Sequence, residues 1–506
     1  MFPFSIPLLL VAAFLVLTLV VGFTSKNPTT FRAYAVDNQQ VSTFRLVVTV
    51  LATTFDSTLL INRVGVHHNT VNFFSSIPVL FYIPLILQFI ALFWVRMVPF
   101  MKHFSVIETI GKVYGQYPRV IAGLFCILYC IEVVFCQITS IYFIISICID
   151  SVDPKCIGIL VTLVVVLYAA LGGIRSVTNS DMLQGIIFIS IISLIARLMF
   201  LKTGQSILEV LSFLHKKERL AFNSLFNCDI ARWKFFLFFP YCALRIYDPT
   251  VLHRVYMCSS PLQVKKVFFY SSLVACLIIF FLWLIGLFIF VVNPTLSITE
   301  IWQYIVAGMP FFLQGLVVIC VLGLAMSTAD SYLHLCSVVV GHDLMESIRR
   351  AKPVSDKLRI QVSKWTIVIV GLLLMILVWY DNRPLECTGY SGILSKRGIY
   401  IFCFFQCSLS TLFILALFGF RSTSSTAFIG MTTFMLFCWI ALQLGCNVLL
   451  FIIIASSVTS ILTMLAAHYL LPQPTGKGWV GLNAQQKRLV ELTGLFRKFK
   501  KKLHIE

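Results

Sequence analysis

Apolar runs of about twenty residues recur along the whole chain, separated by short polar stretches. A helix rising 1.5 Å per residue needs a run of that length to cross a bilayer. The pattern predicts about thirteen spans, near 4–23, 44–66, 75–97, 117–148, 156–172, 182–201, 234–256, 267–292, 309–340, 361–380, 398–418, 426–444 and 447–471. Composition supports this, with 59% hydrophobic and 12% charged residues over 506 positions and a mean hydropathy of +0.95. A soluble domain of this length is excluded, and the expected class is an all-α polytopic membrane protein. The first run has no basic residue before it and no small-residue cleavage site, so it reads as a span and not a cleaved signal peptide.

The net charge of +19 is carried largely by loops between spans, where topology explains it better than a nucleic-acid partner does. An odd span count puts the termini on opposite sides. With the N-terminus outside, inner segments hold about 21 Lys and Arg and outer ones about 9, as the excess of positive charge on the cytoplasmic side requires. This predicts a multi-pass protein of the cell membrane (the inner membrane in a bacterium) with a cytoplasmic C-terminus. The 16 cysteines include no Cys-x-x-Cys pair and read as small packing residues. His67-His68 lacks a third ligand nearby. No Ser/His/Asp arrangement or phosphate loop points to an enzyme or to a bound cofactor. In the tail, Asn483 and Gln486 form a helix-capping pair. Leu489, Leu492, Phe496, Phe499 and Leu503 then recur at three and four among Lys498, Lys500, Lys501 and Lys502. A basic amphipathic helix on anionic headgroups and a solvated charged tail both fit.

Polar residues inside apolar runs are costly and mark function or pairing. Within 309–340 lies Gly323-Leu-Ala-Met-Ser-Thr-Ala-Asp-Ser-Tyr-Leu-His334. Ser327, Asp330, Ser331 and His334 share one helical face, with Thr328 beside it. Their hydroxyls could bond back to their own helix or face an ion path. Ala52-Thr-Thr-Phe-Asp-Ser-Thr58 sets a polar cluster in mid-span, which predicts a broken helix with freed carbonyls. Gly172-Gly173 permits a tight turn between spans, and Asn179-Ser180-Asp181 reads as the cap of the following helix. Pro240 and Pro249 argue for a second broken span, in which Arg245 and Asp248 could pair with each other. An arginine there could also hold a carboxylate bidentately.

Ala325-Met-Ser-Thr-Ala-Asp-Ser331 resembles the signature helix of the sodium/solute symporter family. Tyr168 to Gln184 is similar to that family's Tyr-x-x-x-Gly-Gly-x-x-x-Val-x-x-x-Asp-x-x-Gln motif. Tyr34 to Gly65 follows the first core helix of its sodium/proline members without a gap. The resemblance covers roughly residues 24–420. It implies sodium ligands at the Ala52, Phe55 and Leu324 carbonyls and the Ser327 and Thr328 hydroxyls, oxygens that suit a hard cation. It implies substrate contacts among Asp56, Ser57, Tyr241, Arg245 and Asp248, and an ion-pathway or gating role for Asp181. The proline carriers have aspartate where this chain has Thr54, and here the acid stands at Asp56. The implied architecture is a 5+5 inverted repeat (LeuT-like) at 24–420, with an extra helix at 1–23, two more spans at 421–471 and a basic tail at 472–506. The implied function is sodium-coupled symport of a small organic solute, an amino acid such as proline or another carboxylate, with sodium as the coupling ion. A non-transporting sensor module or an inactive carrier of the same fold is the alternative.

Overall fold

The computed structural model describes residues 5–25, 27–69, 73–149, 152–217, 229–244, 246–348, 354–380, 408–444 and 449–502. The protein is a membrane-spanning bundle of helices. Among the described residues, eight helices are long and apolar enough to cross a membrane, or up to ten when each of two bent pairs counts as one span. The expected thirteen is therefore not established. The outer polar stretch 381–396 lies outside the described residues.

The first core span is broken. The helices Thr43–Thr54 and Ser57–Asn69 meet at a bend of 65°. Phe55 is extended there, at φ −92° and ψ 94°. The carbonyls of Ala52 to Phe55 thereby lose the partners that a continuing helix would supply. Asp56 starts the second half by accepting the Leu59 amide at 2.7 Å, as a capping carboxylate does. The second broken span has the same plan. A helix at Asp229–Leu244 gives way to another at Pro249–Met257, and the Asp248 carboxylate accepts the Thr250 and Val251 amides at 3.0 Å.

The longest helix, Pro154–Lys202, has one non-helical residue, Gly173, at φ 61° and ψ −153°. A straight helix would put Tyr168 and Ser180, twelve residues apart, about 18 Å from each other. Both reach the same Asp330 oxygen, at 2.6 and 3.1 Å, so the chain bends sharply at Gly173. The predicted turn is present. The predicted cap is not, because the helix resumes directly after the glycine. Asn179, Ser180 and Asp181 already lie in its second turn, with Asp181 fully buried.

The helix Phe311–Val338 runs through the centre and continues as a π-helical turn at Val339–Leu344. It packs against 154–202, against Gln116–Cys148 and against the N-terminal helix Ile6–Phe23. One end of this bundle is closed by ion pairs. Arg119 reaches Asp343 at 2.8 Å and Glu346 at 2.7 Å, and Ser105 donates to Asp343 at 2.6 Å. The short helix Val106–Tyr114 lies there, capped by Ser105, with Glu108 paired to Lys112 at 2.6 Å.

Candidate functional site

Four elements meet where the first core span breaks. On Phe311–Val338, Ser327 Oγ donates to Asp181 Oδ1 at 2.5 Å. On Pro249–Met257, Arg254 Nη2 reaches Asp181 Oδ2 at 3.2 Å, Ser331 Oγ at 2.7 Å and Thr53 Oγ1 at 3.1 Å. Thr53 and Ser331 lie 3.3 Å apart, joining the edge of the helix break to the central helix. Asp181 and Arg254 are buried to 0% and 1% exposure. Two opposite charges removed from water to this degree hold only because each also has hydroxyl partners. The Ser327 and Ser331 hydroxyls are thus turned across helices, which decides against simple bonding to their own backbone. The rest of the polar face is engaged in part, with Asp330 Oδ1 and His334 Nδ1 left without a partner among the described residues. Asp330 accepts from Tyr168 and Ser180. The His334 ring lies 5.1 Å from that of Tyr34 and 5.8 Å from that of His253.

Thr328 differs. Its hydroxyl is buried and has no hydrogen-bond partner among the described residues. An orphaned buried hydroxyl costs about 1–3 kcal/mol, and a cation would supply the missing partner. Ser327 can serve a cation at the same time as Asp181, because a donating hydroxyl keeps lone pairs on its oxygen. Ala52, Phe55 and Leu324 are all buried. Ala52 sits beside the helix that carries Asp181, since a Cβ built on Gly185 would lie 3.5 Å from that of Ala52. Carbonyl and hydroxyl oxygens next to a buried carboxylate suit a hard monovalent cation.

The other expected residues separate into groups. Asp56 and Asp248 each cap a half-helix. Tyr332 on the central helix donates to Asp248 at 3.1 Å. Ser57 is taken up by Gln137, to which its hydroxyl donates at 2.6 Å and its amide at 3.1 Å. Tyr241 stacks on Tyr82, with centroids 5.6 Å apart, and joins a satellite apolar cluster around Phe434 and Cys438. Arg245, and with it the expected pairing to Asp248, lies outside the described residues. The Thr54 hydroxyl bonds back to the Val50 carbonyl at 2.5 Å. The nearby acid lies across the break, at Asp56. Nothing in the sequence places Arg254 at Asp181. The signal was a buried cation in a span whose only near acid, Asp248, already serves as a cap.

The sodium:solute symporter family model matches residues 34–433. Over 299 residues the chain is 21% identical to the sodium/sialic acid symporter SiaT of Proteus mirabilis (strain HI4320), a stretch covering 55% of this chain and 58% of that protein. The chain thus spans less than two thirds of that relative's length. Among solved structures, the substrate-bound outward-open state of a Na+-coupled sialic acid symporter superposes with a TM-score of 0.80 at 19% identity. The match covers 93% of this chain and 99% of that one. A nucleobase-cation-symport-1 family transporter, in a closed conformation with bromovinylhydantoin bound, gives 0.55 at 13% identity, covering 88% and 95%. At these identities the likeness establishes a shared fold, the inverted-repeat transporter fold with its two broken spans.

Proposed function

The chain belongs to the sodium:solute symporter family, and from that premise we propose that it carries a small organic solute across the membrane together with sodium. The observation that carries this reading is the meeting of a broken helix, the unpartnered Thr328 hydroxyl and the Asp181–Ser327 bond at one buried place. In the proposal, sodium is held by the Ala52, Phe55 and Leu324 carbonyls and the Ser327 and Thr328 hydroxyls, and Asp181 stabilises its charge on the way through. Sodium drives uptake only if it binds the outward- and inward-facing states with different affinity. The Arg254 guanidinium gives Asp181 a second partner to turn to when the ion leaves.

The solute site in this reading lies between the two broken spans, at Asp56, Arg245 and Asp248, while Ser57 and Tyr241, held by Gln137 and Tyr82, serve it only indirectly. The capping carboxylates Asp56 and Asp248 offer acceptors to hydroxyl or ammonium groups, and Arg245 would take a carboxylate. Such a set fits a carboxylate that also bears donors: a sugar acid of the sialic acid kind, for which both similar symporters are named, or an amino acid. Residues 1–23 and 421–471 are additions around a core at 24–420, and the tail from 472 faces the cytoplasm.

The test is the unfolding midpoint of detergent-purified protein against Na+, with K+ holding ionic strength constant. A ligand of the folded state alone adds about 2.7 kcal/mol at a hundredfold its Kd. A Na+-specific rise that vanishes in Ser327→Ala is expected, followed by Na+-driven uptake of sialic acid or an amino acid into liposomes. Equal curves in Na+ and K+ would overturn the ion site. Solute binding without flux would make the protein a receptor.

A further inference from the structure

The C-terminal helix Ala484–Lys502 is fixed at a defined level of the bundle. Residues 478–479 pair antiparallel with 420–421, just past the helix Ser408–Phe418. The Val480 amide donates to the Gly419 carbonyl at 2.8 Å. The Phe420 ring lies 4.9 Å from that of His468, which closes the helix Leu449–Leu470. Asn483 and Gln486 exchange bonds of 2.8 Å at the helix start, and Gln486 Nε2 donates to the Val95 carbonyl at 2.9 Å. Val95 belongs to the short segment Trp94–Phe100, which bends 65° away from the span Leu80–Leu92. The tail helix therefore begins where several membrane-spanning helices end, which is the height of the headgroups.

From that start the helix presents three sides. Gln486 is buried and Leu489 and Thr493 are half-buried, so this side rests on the protein. At 100° per residue the next side holds Leu492 and Leu495, which are 53% and 62% exposed. By the same register the sequence adds Phe496 and Phe499 to that strip. Lys487, Lys498, Lys501 and Lys502 fall on the remaining arc, Arg488 falls between Leu492 and Leu495, Lys500 falls on the docked side, and Glu491 is the helix's one acid. A solvated tail has no use for the exposed Leu492 and Leu495, whereas a helix lying in a bilayer surface needs one apolar side flanked by cations.

We propose that Ala484–Lys502 is a lipid-binding element that lies along the bilayer surface, its apolar strip between the acyl chains and its lysines on anionic headgroups. The inference is independent of the transport reading. Each lysine near an anionic surface strengthens attachment about fivefold, and salt weakens it.

Amide hydrogen exchange on the full chain in nanodiscs tests this, comparing pure phosphatidylcholine with phosphatidylcholine containing phosphatidylglycerol. The expected result is exchange over 487–502 slowed about tenfold more in the anionic discs. The difference should shrink at high salt and disappear in K498Q/K501Q/K502Q, while L492E/L495E loses protection in both lipids. Equal protection in both discs for the wild-type chain would make the helix a protein-docked element and overturn the proposal. Free exchange in both would make it a solvated tail and overturn it equally. Should L492E/L495E disturb the helix itself, the lysine variant still decides, because glutamine keeps the helix propensity.

Discussion

Asp181 shows what a single residue can and cannot disclose in a sequence. Its place in a Tyr-Gly-Gly-Val-Asp-Gln pattern marked it for the ion path, and the Ser327–Thr328 pair was marked by its face on a membrane helix. The partner Arg254 was not legible as such, because it is 73 residues away and charge pairing at that distance is a property of the folded chain alone. The pair sets a clear expectation. Asp181→Asn leaves a guanidinium buried without its counter-charge, so stability should fall by about 3–5 kcal/mol in denaturant unfolding of the purified protein. Combining it with Arg254→Met should cost less than the sum of the two, since removing both charges leaves neither unpaired.

Broken helices were readable at the level of elements, because a cluster such as Thr53-Thr-Phe-Asp56 cannot stay inside a continuous apolar span without cause. The cap expected at Asn179–Asp181 was misplaced for a physical reason. Gly173 alone makes the turn, and the helix restarts at once, turning a typical capping sequence inward. An added Cβ at Gly173 would stand 2.8 Å from the Tyr34 ring and 3.2 Å from the Tyr34 carbonyl oxygen, on a backbone at φ 61°. Gly204 has the same φ and nothing within 4 Å. The strain of that backbone on a non-glycine residue is about 1–3 kcal/mol. Gly173→Ala should therefore lower the denaturation midpoint clearly more than Gly204→Ala, because of the contact with Tyr34 and the ψ of −153°.

For the molecule as a whole, the closed end of the bundle sets how stability responds to acid. Burial pushes the His103 imidazole down to about 4, against the pull of Glu108. Burial would raise the Glu108 carboxyl, but the His342 ring 3.4 Å away, with His103 and Lys112, holds it below the usual carboxylate range. For His103, the unfolded chain takes up a proton below about 6.5 while the folded one does not. The His103 contribution to stability should drop by about 3 kcal/mol as pH falls from 6.5 to 4, at 1.36 kcal/mol per pH unit. Glu108 adds a second loss below about 4.5, as its depressed folded value is approached. Unfolding midpoints measured from pH 7 to 4 should show this decline, and His103→Gln should flatten the upper part. The inverted repeat was legible at this scale because each half opens with a broken span. The number of spans is left open, because the count of eight to ten covers the described residues only and takes the helix bent at Gly173 as one.

The Asp181–Arg254 pair also bears on how the protein is made. Synthesis at about 5–20 residues per second delivers Arg254 roughly 4–15 seconds after Asp181, and Ser327 later still. For that interval the span carrying Asp181 waits in the bilayer with an acid that has no counter-charge, which at a helix centre costs about 2.5–3.5 kcal/mol and in its second turn less. The apolar residues among Ile186 to Ile195, which Ser190 and Ser193 interrupt, must hold it there in the meantime. The buried charge is thus a demand on the order of insertion, met only when the later helices arrive.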